Sequence, residues 1–78
     1  MLRLELVSDT KEGAVYSYFP EGKDKYGTVS VNKGTGELDI KKIAENDEHK
    51  RYLLHAMSRI RKFISENKYP EKETVAWC

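Results

Sequence analysis

Few side chains in this 78-residue sequence have the type and spacing for covalent or metal chemistry. His49 and His55 are six residues apart. At ~100° per residue that is roughly 240° around a helix, so they cannot converge on one ion as an i, i+4 pair can. Neither a metal nor a cofactor is expected. Cys78 is the last residue, beside a terminal carboxylate that disfavours a thiolate, whereas catalytic thiols need positive surroundings and a fixed base. No Gly-x-Ser-x-Gly elbow occurs, Gly34-Thr35-Gly36 is too short to cradle a phosphate, and Glu71 and Glu73 stand beside lysines where solvation is expected. These absences predict a non-enzymatic protein.

The elements that would position any site follow from periodicity. Leu2, Leu4 and Leu6 alternate with Arg3, Glu5 and Val7, the period of a strand with one buried face. Ala14 to Phe19 is a second β-prone run stopped by Pro20, which cannot donate a ladder hydrogen bond. Tyr26 to Val31 is a third, and Asn32 to Gly36 supplies a tight hairpin into a fourth over Glu37 to Ile43. From Asp47 to Asn67 the period changes. Tyr52, Leu53, Ala56, Met57, Ile60, Phe63 and Ile64 fall within an arc of roughly 140°, the stripe of a helix packed on the sheet. Asn46 or Asp47 is the expected N-cap, with Asp47 and Glu48 at the positive end of the dipole, and Asn67 with Pro70 marks the stop. Glu73 to Trp77 is β-prone again and predicts a short strand, with Trp77 as a core anchor. The expectation is one α+β domain over residues 1–78, in which an antiparallel four-stranded meander packs on one long amphipathic helix and a short C-terminal strand follows (ββββαβ).

Tyr18-Phe19-Pro20-Glu21-Gly22, Tyr26-Gly27-Thr28-Val29-Ser30 and Thr35-Gly36-Glu37, followed by Lys50-Arg51-Tyr52, resemble segments of small uncharacterised bacterial proteins. The resemblance implies a self-standing domain of bacterial source. It brings no activity and no functional residue.

Composition narrows the partners. Fourteen basic side chains nearly cancel 13 acidic ones, which argues against a strongly basic nucleic-acid arm. No apolar run approaches the ~20 residues needed to cross a bilayer, and no signal peptide is evident, so a cytoplasmic location without membrane contact is expected. A lone cysteine fits a reducing compartment.

Two surfaces are then candidates. If the helix covers the face bearing Leu2, Leu4, Leu6, Val29, Val31 and Ile40, with Val15 or Phe19 beside them, then Tyr16, Tyr18, Tyr26 and Thr28 fall on the opposite, uncovered face. Aromatics with few charges suit a protein interface, either with an unknown partner or in a homodimer. The second candidate is the solvent side of the helix, where Lys50, Arg51, Arg59, Arg61 and Lys62 could follow a phosphate backbone with salt-sensitive affinity. Each surface also has a plain reading, as cross-strand aromatic packing or as a solvated basic helix face.

Overall fold

Residues 1–76 are described by the computed structural model; Trp77, the expected anchor of the tail, lies outside the described residues, as does Cys78. The elements are β1 (Leu2–Asp9), β2 (Gly13–Pro20), β3 (Gly27–Asn32), β4 (Leu38–Lys42), α1 (Arg51–Glu66) and β5 (Lys72–Val75). They form one antiparallel sheet in the order β4-β3-β2-β1-β5, with α1 packed mainly on β2, β1 and β5. This is the predicted α+β ββββαβ arrangement. The meander arises because each early connection is a short turn, and β5 pairs with β1 because the helix carries the chain back across the sheet.

Local chemistry sets the turns. The Asn32 carboxamide oxygen accepts the Gly34 and Thr35 N–H groups at 2.9 and 3.2 Å, and Gly36 takes the left-handed conformation at φ 78°. After Pro20 the chain reverses through Glu21 and Gly22, both at positive φ. Two bulges bend the ladder, one between Leu6 and Ser8 in β1 and one between the partners of Thr28 and Val29 in β4. The first leaves Val7 unpaired and exposed.

The register decides which side chains meet the helix, since directly opposed residues share a face. Leu4 opposes Tyr18, Leu6 opposes Tyr16, Tyr16 opposes Val29 and Ala14 opposes Val31. Tyr16 and Tyr18 are therefore core residues, 0% and 1% exposed, which overturns their expected place on the uncovered face. Val15 opposes Ser30, and Phe19 opposes Arg3, so these two stand outside instead.

The reason is hydrogen bonding at the ends of the tyrosine rings. The Tyr16 hydroxyl donates to the Pro70 carbonyl at 2.7 Å, and the Tyr18 hydroxyl accepts the Ala44 N–H at 3.0 Å and donates to Asp47 Oδ2 at 3.5 Å. A buried tyrosine with a satisfied hydroxyl contributes its large apolar area without a desolvation cost at its tip. Around them lie Leu2, Leu4, Val29, Leu53 and Ile60, each worth ~1.5–3 kcal/mol gross on burial. Tyr16 also meets Phe63 with ring centroids 5.4 Å apart.

The helix is shorter than expected. It begins at Arg51, with Lys50 at φ 56° in the N-cap position and no acidic residue in its first turn. Asp47 nevertheless does the capping from outside, since its carboxylate accepts the Tyr52 and Leu53 N–H groups at 3.1 and 2.9 Å. Leu53, Ala56, Ile60 and Phe63 are buried, as the stripe requires. Asn67 closes the helix in the left-handed conformation, with its N–H bonded to Ile64 and that of Lys68 to Phe63. No helix among the described residues is long and apolar enough to cross a membrane.

Candidate protein interface

One helix covers one side of the sheet, so the residues that alternate with the core set face outward. Along the central strands these are Val15, Ser17 and Phe19 of β2, and Thr28 and Ser30 of β3, of which Ser17 is itself buried at 7% exposed. None is charged. Arg3 and Glu5 of β1 flank them on one side, Asp39 and Lys42 of β4 on the other, through the pairs Arg3/Phe19, Glu5/Ser17, Ser30/Asp39 and Thr28/Lys42.

At one end of this face four side chains form a row. The Arg3 guanidinium lies 4.3 Å from the Phe19 ring centroid, Phe19 and Tyr26 are 5.6 Å apart with rings tilted by 38°, and Lys42 Nζ lies 4.1 Å from the Tyr26 centroid. Both cations sit where ring quadrupoles attract them. Arg3 is further fixed by Glu5 at 2.6 Å and by the Gly22 carbonyl at 2.9 Å. Among the described residues Lys42 enters no ion pair, and Tyr26 remains 41% exposed.

The other end is acidic. A groove of about 620 Å³ is lined there by Ser8, Glu12, Val15, Ser30, Glu37 and Asp39 among others. Among the described residues Glu12 and Glu37 enter no ion pair, while Asp39 meets Lys41 at 2.6 Å. The uncovered face is thus apolar to weakly polar at its centre, basic at one end and acidic at the other. Of the four residues expected to line a protein interface, it brings together Tyr26 and Thr28, and Tyr16 and Tyr18 are behind it. Phe19, Val15 and Arg3 belong to it and were missed.

The basic helix residues do not form one row. Arg59 turns toward the sheet and pairs with Glu73 of β5 at 2.5 Å, so Glu73 is held rather than solvated. Lys50 is the left-handed residue before the helix, and Arg51, Arg61 and Lys62 are exposed along it with Leu54 among them.

The groups with displaced pKa values belong to the framework. Burial pushes the Tyr16 phenol well above its ordinary 10.0, with Asp9, Glu73 and Tyr69 adding to the shift. Burial also raises Tyr18, with Asp47 acting in the same sense against the Ala44 N–H. The Tyr52 hydroxyl and the N-terminal ammonium hold Glu21 below the usual carboxylate range, and Glu21 in turn raises Tyr52. No group of three His, Cys, Asp or Glu among the described residues could hold a metal ion. Protein-family models, curated proteins and solved structures show no match to this chain.

Proposed function

We propose that this protein is a small non-enzymatic binding module of the cytoplasm that acts by protein contact through the uncovered face of its sheet. The observation that carries this reading is the charge-free centre formed by Val15, Thr28 and Ser30, bordered by the Phe19/Tyr26 pair and a charged rim. Interfaces are built this way, with charge depleted at the core, aromatic residues within it and polar groups around it. The perturbed tyrosines support a non-catalytic reading, because burial in the core raises Tyr16 and Tyr18 and the hydrogen bond to Glu21 raises Tyr52.

The test is substitution on each face with partner recovery as the readout, with and without nuclease. Phe19→Ser with Tyr26→Ser should abolish recovery of cross-linked protein, and Arg61→Glu with Lys62→Glu should leave it intact. Recovery that needs Arg61 and Lys62 and vanishes with nuclease would instead move the function to a nucleic acid held by the helix face.

A further inference from the structure

The free edge of β4 is complementary to itself when two copies run antiparallel, and from this we infer that two chains join edge to edge, β4 against β4, into one continuous sheet. β4 ends the sheet, and among the described residues no strand pairs with its far side. The Asn32 N–H donates to the Glu37 carbonyl at 2.9 Å, which makes that couple a hydrogen-bonded pair of the β3–β4 ladder. Such pairs alternate along an antiparallel ladder, so Ser30/Asp39 is the next one, whereas Leu38 and Ile40 turn their N–H and C=O groups to the open side. The chain after β4 leads away from this edge and under the sheet, where Ala44 is buried and its N–H reaches the Tyr18 hydroxyl at 3.0 Å.

The side chains along the edge carry the symmetry. Glu37 and Asp39 precede Ile40, and Lys41 and Lys42 follow it. A two-fold axis perpendicular to the sheet through Ile40 pairs Ile40 with Ile40 of the second copy through reciprocal backbone hydrogen bonds and sets Asp39 opposite Lys41 on both sides. Each chain already holds Asp39 and Lys41 together at 2.6 Å, so the charges of the two chains alternate in sign around a square. Farther out, Glu37 comes toward Lys42, and among the described residues neither has an ion pair within its own chain. An axis moved by one residue would put Asp39 on Asp39 or Lys41 on Lys41, and like charges directly opposed are unfavourable. Charge thus selects one register.

The apolar side of the edge fits as well. Ile40 opposes Val29 and so points to the helix side, yet α1 packs mainly on β2, β1 and β5 and leaves Ile40 42% and Ile43 40% exposed. In the pair the two Ile40 side chains adjoin and cover each other. The axis keeps both helices on one side of the joined sheet, each set back from the seam by β3 and β4. Lysines and bulges ordinarily blunt an edge. Here the acids ahead of the lysines turn the same charges into a match, and the bulge at Lys41 falls beyond the Ile40 pair. A seam this short makes a weak dimer that salt loosens. It leaves the open face of the sheet free, so it stands or falls apart from the protein-contact reading above.

Sedimentation equilibrium of the full chain tests this with wild type, Asp39→Lys, Lys41→Asp, the double exchange Asp39→Lys/Lys41→Asp and Ile40→Pro, each first shown to be folded by its circular dichroism. Wild type should dimerise reversibly with a Kd below ~1 mM at low salt. Asp39→Lys and Lys41→Asp should each self-associate at least ~10-fold more weakly, whereas their equimolar mixture and the double exchange should regain the strength of wild type. Ile40→Pro keeps the fold, because the lost N–H faces the free edge, and should abolish dimers. A wild type that stays monomeric, or a mixture no stronger than its components, overturns the inference. So does loss of dimers in Phe19→Ser with Tyr26→Ser, which would move the contact to the open face. A photo-cross-linking residue at position 41 that captures only a different protein in the host would overturn it too.

Discussion

The ring of Tyr18 lies across Gly27, its opposite number on β3, in the space where any other residue would place a β-carbon. That vacancy admits a tyrosine to the core beneath the helix and lets its hydroxyl reach Asp47 and the Ala44 N–H. Gly27→Ala should destabilise the fold by about 1–3 kcal/mol, the usual cost of overpacking, because its methyl would strike the Tyr18 ring and approach the Lys42 carbonyl oxygen to 2.7 Å. Urea denaturation measures it. A cost near zero would show that the ring is not wedged in this way.

Tyr16→Phe keeps the ring and removes the hydrogen bond to Pro70. Its expected cost is about 1–2 kcal/mol at neutral pH, leaving a half-buried carbonyl without its donor. The alkaline limb should change too. A phenol raised above 10.0 in the folded state stays protonated while the unfolded one ionises, so stability is complete below pH ~10 and falls as pH rises beyond it. Tyr18 and Tyr52 contribute in the same direction. Unfolding midpoints followed from pH 8 to 11 should decline less steeply in Tyr16→Phe than in wild type.

Asp47→Ala should cost about 1–2 kcal/mol, because one carboxylate serves the N–H groups of Tyr52 and Leu53 and meets the Tyr18 hydroxyl. Asp47→Asn keeps one acceptor oxygen and should lose less. Thermal melts of the two variants give the comparison, and equal losses would contradict it.

Asn67→Gly predicts the opposite sign. Asn67 sits at φ 52°, where glycine carries no steric penalty, so the variant should be more stable by a few tenths to about 1 kcal/mol. A destabilised variant would mean that the asparagine side chain contributes more than its backbone conformation costs.

Periodicity made much of this fold legible. The leucines of β1, the valines of β3 and the apolar stripe from Tyr52 to Ile64 each have one reading, and the structure packs them together. The second strand has two. Ala14, Tyr16 and Tyr18 compete with Val15, Ser17 and Phe19 for the covered face, and aliphatic content alone favours the wrong set. Gly27 was the available signal, since a glycine opposite an aromatic leaves room for its ring. Pro70 and Asp47, which satisfy the tyrosine hydroxyls, are 54 and 29 residues away in sequence, beyond the reach of local pattern. The candidate surface was correspondingly half legible. Tyr26 and Thr28 follow from the parity of the third strand, whereas Arg3 and Lys42 join them only through cross-strand pairing and a bulge. The partner of Arg59 lay beyond local pattern for a similar reason, because Glu73 arrives on a strand that follows the helix.

The most direct measurement places a photo-cross-linking residue at Thr28, on the uncovered face, or at Ser58, on the exposed side of the helix, and reads the adducts formed by the full chain in its host. Protein adducts at position 28, lost when Phe19 and Tyr26 become serine and scarce at position 58, are the expected result. Adducts that form at position 58 and not at 28 would contradict the assignment of function to the open face of the sheet.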